Sequence, residues 1–391
     1  MAGSLRLLFR LNSGIINGAI KSNIINGTRS IFSENALGLT SYETTRYHIN
    51  NQFQNVADTF REKMKEVCQA DDSMIFTEDL KAMLHLAKKD PQDLDLVYNM
   101  LKKFNSQNRE LRFGTFVFGP VAMRTFYHLD EPDYALKAYK DPAFEGLFDQ
   151  ATSRQVFLEL LVKHSKYEEV RQIYEKMLNE LQNINLFPKN EFIVYSYGMY
   201  KENAPESFES IVNSWKKINS IGTTVVPRRA LIYMAMLALN QNKPDIALEI
   251  ISAIKMTRYV DVKNIKVLVY LKLKRYTEIT ILFKECLFNE NPQTRREVFC
   301  LDVMKKVEDA IMEQQLPEDN DLVVTFNRVK TQGFVMATTF SERLELPIDP
   351  VRPQRLQETG FIRRRPGREM FQNPGPLNRR SNFRPTLKDL L

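Results

Sequence analysis

Five short apolar stretches recur along the chain at a nearly fixed interval, and this constrains the fold more than any other feature. Their opening residues are Ala135, Val170, Phe208, Ala247 and Ile279, separated by 35, 38, 39 and 32 residues. Each is followed four positions later by an apolar or aromatic residue, Tyr139, Tyr174, Val212, Ile251 and Phe283. A spacing of four places both on one helix face. Upstream of each lies a second apolar segment: TFVFGPVAMRTFYHL, SRQVFLELLVKH, EFIVYSYGMY, RALIYMAMLAL and NIKVLVYLKLK. Leu94, Tyr98 and Leu101 suggest a weaker unit before these. Repeats of this length are helical hairpins that bury their apolar faces only by stacking on their neighbours.

The surrounding pattern agrees. From Asn50 to Gln315 apolar residues recur at three and four, and no alternation of strand and helix appears. Proline falls between periodic segments, as in Asp90-Pro91, Glu131-Pro132, Phe187-Pro188, Ala204-Pro205, Val226-Pro227 and Asn291-Pro292. The expected fold is all-α, a superhelical solenoid of stacked helix-turn-helix repeats over 34–345, with its clearest repeat at 151–187. A leader occupies 1–33 and a disordered basic tail 346–391.

The leader reading rests on composition. Residues 1–33 contain Arg6, Arg10, Lys21 and Arg29 and no acid, with Leu5, Leu8, Leu11 and Ile15 at helical spacing. That is the make-up of a mitochondrial presequence, and it places cleavage near Arg29–Ser33. The tail is the mirror case. Residues 351–391 carry a net +7, and seven of the chain's 17 prolines lie beyond Leu346. Too few apolar residues remain there to fold alone. Arg363–Arg365 and Arg368, flanked by Phe361 and Phe371, suit RNA contact; docking on an acidic surface and simple solvation are the competing readings.

The overall net charge of +7 is therefore located at the ends, and residues 34–350 sum to −4. Within them 216–296 holds 15 Lys/Arg against six acids, a local +9 beside a −13 remainder. A solenoid with one positive stretch can track a phosphate backbone. Lys263, Lys266, Lys272, Lys274 and Arg275 are the candidate phosphate contacts. Tyr233, Tyr259, Tyr270 and Tyr276 are interleaved with these cations, and periodicity favours the core for Tyr233 and Tyr270.

Other chemistries find little support. The longest apolar run, Ala230–Leu239, is half a membrane span, so no membrane span is expected. Cys68, Cys286 and Cys300 form no CxxC pair, and the four His (48, 85, 128 and 164) show no metal-ligand spacing. Phosphate-cradling glycine loops and HExxH are absent. Acid pairs such as Asp71-Asp72, Glu168-Glu169 and Asp319/Asp321 have no matching His or nucleophile, so the chain reads as no enzyme, without cofactor or small-molecule substrate.

The clearest unit, ATSRQVFLELLVKHSKYEEVRQIYEKMLNELQNINLFPKN, resembles a pentatricopeptide repeat: a first helix, a polar turn, EEV, an aromatic then Met, and a late proline. The tetratricopeptide Trp, Leu-Gly and Tyr signature is missing from every first helix. The resemblance implies recognition of single-stranded mitochondrial RNA in the matrix at about one base per repeat, through two or three side chains of each unit. Counted from the anchors, the base-facing position is Gln155 in the 151 unit and Asn264 in the 260 unit, with Asn185 and Thr294 closing those repeats. The competing reading has Gln155 and Asn264 as ordinary exposed helix residues. In other units the count lands on Pro120, Ile193 and Ile232, which cannot read a base by hydrogen bonding. The resemblance further implies non-catalytic RNA maturation serving the respiratory chain, with RNA-processing proteins or the mitoribosome as further partners. The alternative from a different class is a protein-interaction scaffold or mitoribosome-associated subunit, which the acidic remainder supports.

Overall fold

The computed structural model describes residues 30–107, 116–182, 186–220, 225–255, 258–289 and 297–349. The leader up to Arg29, Asn185, Thr294 and the tail beyond Asp349 lie outside these residues.

The described chain is a stack of helical hairpins. Three helices, α1 (Glu34–Leu37), α2 (Leu39–Gln52) and α3 (Ala57–Gln69), precede it. The hairpins are α4 (Thr77–Leu86) with α5 (Pro91–Ser106), α6 (Gly119–Leu129) with α7 (Pro132–Lys140), and α8 (Ala151–Lys163) with α9 (Tyr167–Gln182). Next come α10 (Lys189–Glu202) with α11 (Pro205–Ser220), α12 (Arg228–Asn240) with α13 (Pro244–Ser252), and α14 (Val260–Lys272) with α15 (Tyr276–Asn289). A last pair, α16 (Leu301–Glu313) with α17 (Asp321–Thr331), is a unit beyond those seen in the sequence. It is flanked by β1 (Phe299–Cys300) and β2 (Val335–Met336), which pair in parallel, and α18 (Phe340–Leu344) follows. The all-α hairpin solenoid expected from periodicity is the observed architecture.

The repeat interval is written into the backbone at the hairpin turns. Among the described residues the non-glycine positions with positive φ are Asp130, Ser165, Asn203, Asn242, Lys274 and Gln315, one in each turn from α6/α7 to α16/α17. The first five follow one another at the same intervals as the helical anchors. Such a left-handed residue ends a helix by letting the next N–H reach back to an orphan carbonyl. Lys166 N–H donates to Leu161 O, Lys243 N–H to Ala238 O, Arg275 N–H to Tyr270 O and Leu316 N–H to Ile311 O. Asp and Asn tolerate this conformation best, so three of the six turns carry little strain.

The anchors are core. Ala135, Val170, Ala247 and Ile279 are fully buried and Phe208 nearly so, each on the second helix of its hairpin. The first helices form a separate inner row in which α6, α8, α10, α12, α14 and α16 pack each on the next. Of these helices α8 and α10 are buried almost all round: 155–162 and 191–199 are buried without a break. A helix apolar on every side must be covered on two faces, and the second helices supply only one.

Gly119 opens α6 where no side chain fits. A Cβ there would stand 2.2 Å from Leu147 O, 2.4 Å from Gln150 Oε1 and 2.7 Å from Ser153 Oγ. The first of these is backbone and cannot swing aside. Gly119→Ala is expected to destabilise the protein by about 1–3 kcal/mol, seen as a lowered denaturant midpoint; an unchanged midpoint would show that α6 shifts freely.

Candidate nucleic-acid interface

The second cover of the inner row is the chain itself. From the C-terminal side, Phe340 N–H donates to Asp302 Oδ1 of α16 at 2.8 Å, and Arg343 Nε meets Asp261 Oδ1 of α14 at 2.5 Å. Arg229 of α12 donates to the carbonyls of Arg343, Leu344 and Leu346 at 3.1, 2.7 and 2.9 Å, and Tyr233 Oη donates to Leu344 O. Lys201 of α10 pairs with Glu345. From the N-terminal side, Arg124 of α6 holds Leu37 O at 2.8 Å, and Glu159 of α8 accepts from Ser30, Ile31 and Phe32. The two segments meet: Ile348 N–H donates to Ile31 O at 2.8 Å and Ser33 N–H to Ile348 O at 3.1 Å. The boundaries expected at 33/34 and 345/346 therefore fall inside packed structure, since Ile31 and Phe32 are core and Ile348 is paired.

This cover decides the fate of the amides expected to read bases. Asn264 is fully buried; its Nδ2 donates to Val260 O and Val298 O and its Oδ1 accepts from Cys300 N–H, each at 2.8 Å. Both ends of the amide fasten α14 to the β1 segment; its two N–H are used, and burial puts its oxygen out of reach of a base edge. Gln155 is 7% exposed and its Oε1 accepts from Asn190 Nδ2 at 3.2 Å, linking α8 to α10. Neither is an exposed helix residue. Asn185 lies outside the described residues.

The cations divide into two groups. Lys263 and Lys266, half-buried, share a face of α14 with Tyr259 just before it, by spacings of four and three. Among the described residues neither makes an ion pair. Lys272, Lys274 and Arg275 sit at the far end of the helix and in the turn. Lys272 and Lys274 line a cavity of about 600 Å3 with Lys306, where Asp309 and Glu313 oppose them. Arg275 lies 3.9 Å from Glu278. Tyr233 is fully buried and holds the C-terminal segment.

At the other end of the inner helices a larger cavity of about 650 Å3 opens beside Ile348. Its described lining includes Trp215, Arg228, Arg229, Lys255 and Tyr259, and no carboxylate. The Arg228 guanidinium lies 3.3 Å from the Tyr259 ring centroid, stacked on a ring 39% exposed. Arg228 Nε is buried without a hydrogen-bond partner among the described residues. Arg229 is committed to Asp261, Tyr233 and the C-terminal carbonyls, leaving Arg228 and Lys255 as the cations available to a ligand. Ile193, one of the positions unable to read a base, forms part of the same wall. The sequence signals were the Arg228-Arg229 pair, the chain's single Trp and Tyr259 one unit further on, but only folding brings them together.

No protein-family model and no solved structure matches the chain. Curated proteins do. The chain is 25% identical over 302 residues, 77% of its length and 76% of the relative's, to pentatricopeptide repeat-containing protein 2, mitochondrial, of Mus musculus. It is 25% identical over 285 residues, 72% of each chain, to the protein of that name from Homo sapiens. The Xenopus laevis protein is 26% identical over 332 residues, 81% of each. Over roughly three quarters of its length this chain resembles pentatricopeptide repeat-containing protein 2.

Proposed function

We propose that the chain is a mitochondrial matrix protein that binds single-stranded RNA at the Arg228–Tyr259 cleft and holds a transcript for maturation, without cutting it. The acid-free segment that ends at Arg29 acts as the import leader. Support for the compartment comes from the acid-free, Arg-containing leader and from relatives whose names carry the word mitochondrial. The carrying observation for RNA is the cleft, where a guanidinium stacked on tyrosine, an indole and Lys255 line a cavity with no carboxylate among its described lining residues. Bases stack on aromatic rings and guanidinium planes, while phosphates take the cations. From there Lys263 and Lys266 continue along α14 as contacts for the next phosphates. The basic tail is a second phosphate-binding element.

Trp215 is the chain's only tryptophan, so its emission reports on this cleft alone. Titration with uridine-rich single-stranded RNA at low salt is expected to change that emission. Arg228→Ala with Tyr259→Ala should weaken binding about tenfold or more, the stacking contribution of one base. Lys263→Gln with Lys266→Gln should flatten the plot of log affinity against log salt by about 1.4, two phosphates on a single strand. Absence of binding at low salt would discard this reading in favour of the protein scaffold.

A further inference from the structure

Among the described residues Glu159 is a buried carboxylate without a cation. It sits in the middle of α8, fully inaccessible, and faces Tyr127 of α6, Tyr197 of α10 and Tyr233 of α12. Among the described residues Tyr197 Oη has no hydrogen-bond partner. The donors to Glu159 all come from one place: Ser30 Oγ–H and Ile31 N–H to Oε2 at 3.0 and 3.1 Å, and Phe32 N–H to Oε1 at 2.9 Å. Among the described residues no Lys, Arg or His pairs with it. Burial raises its carboxyl to about 7, against the lowering effect of those three donors. A buried acid is ordinarily neutralised or matched with a cation, because an unpaired buried charge is costly.

The missing cation is one bond-breaking step away. The acid-free, Arg-containing segment ends at Arg29, and Ile31, whose nitrogen is already on the carboxylate, is the second residue after it. We propose that the chain is cleaved between Ser30 and Ile31, and that the new Ile31 α-ammonium remains at Glu159 as a buried ion pair closing the two chain ends over the inner row. Water adds across the peptide bond, leaving a carboxylate on Ser30 and an amine on Ile31 that is protonated beside Glu159. The ammonium presents three N–H donors where the amide had one, which offsets the departed Ser30 hydroxyl. Ile31, fully buried and with its carbonyl held by Ile348, keeps the new terminus in place.

This inference rests on the reading of the N-terminal segment as an import leader and is independent of RNA binding. The first test is the N-terminal peptide of the protein recovered after import into mitochondria. A start at Ile31 is expected; a start elsewhere overturns this inference alone, and an uncleaved chain overturns the leader reading with it. The second compares a chain released from a fusion with Ile31 as its first residue, with its amine free or acetylated, with and without Glu159→Gln. The free amine should raise Tm by about 5 °C in the Glu159 chain and not in the variant. That advantage should be largest near neutral pH, lost as pH rises through the higher value of the paired amine, and lost again in acid once Glu159, whose carboxyl burial raises, takes up a proton. Equal Tm for free and acetylated amine in the unmutated chain overturns the pair, whether or not the variant folds.

Discussion

Asp93→Ala is expected to cost about 3–5 kcal/mol, read as a fall in the urea midpoint with an unchanged slope. Asp93 and Arg61 are both nearly inaccessible, and their contact is two-pronged, Nε to Oδ1 at 2.9 Å and Nη2 to Oδ2 at 3.1 Å. Arg61 also donates to Leu86 O, and Asp93 accepts from Lys88 N–H at 2.8 Å, so the pair ties α3 to the turn between α4 and α5. Removing the carboxylate strands a buried guanidinium, which costs more than the pair itself contributes. A matched control lies alongside. Asp58 contacts the same Arg61 at 3.2 Å but is 94% exposed, and Asp58→Ala should change stability by less than about 0.5 kcal/mol. Similar losses from the two variants would show that charge count, not burial, governs this corner.

Asp261→Ala should release the C-terminal segment. Asp261 is buried between two guanidiniums, Arg343 Nε at 2.5 Å and Arg229 Nη1 at 3.3 Å. Without it the two cations face each other beside the Leu344 carbonyl with no counter-charge, a penalty again of about 3–5 kcal/mol. Part of that is recovered by local opening, because residues 340–348 are held mainly by side chains rather than by a sheet. The expected signature is faster amide exchange confined to 340–348 and to Ile31–Ser33, whose backbone pairs with Ile348, before any change in α8 or α10. Uniform acceleration across the inner helices would show instead that the segment and the stack open together.

The hairpins were legible because their cause is local. Anchor spacing reports which face of each second helix is buried, and Ala135, Val170, Phe208, Ala247 and Ile279 all proved to be core. The α16/α17 hairpin was missed because a longer interval and the β1–β2 pairing separate it from the preceding units. The inner face was legible only in part. Counting from the anchors put Gln155 and Asn264 at the inner-helix positions where a base would be read, but whether that surface is open depends on residues more than a hundred positions away. Glu159 bonds Ile31 and Phe32, and Arg229 bonds Leu344, across separations that no periodicity encodes. One signal was available: FIVYSYGMY and RALIYMAMLAL are apolar around the whole helix, a pattern for elements covered on both sides. The Arg228–Tyr259 stack was hidden for the same reason, as its partners open two successive inner helices.

The pairing of Phe32 with Ile348 turns a linear array into a loop. Open repeat arrays fold by adding units to a growing end, gain or lose units with little penalty, and fray at their termini. A closed one does none of these. The unit count becomes fixed, since one more or one fewer hairpin would part the two ends. Most contacts in the stack are local, but closing a contact that spans more than three hundred residues carries a large chain-entropy cost, so the joining of Phe32 to Ile348 is expected to come late. The stack can form one hairpin at a time, but it reaches its final stability only when the whole length is present.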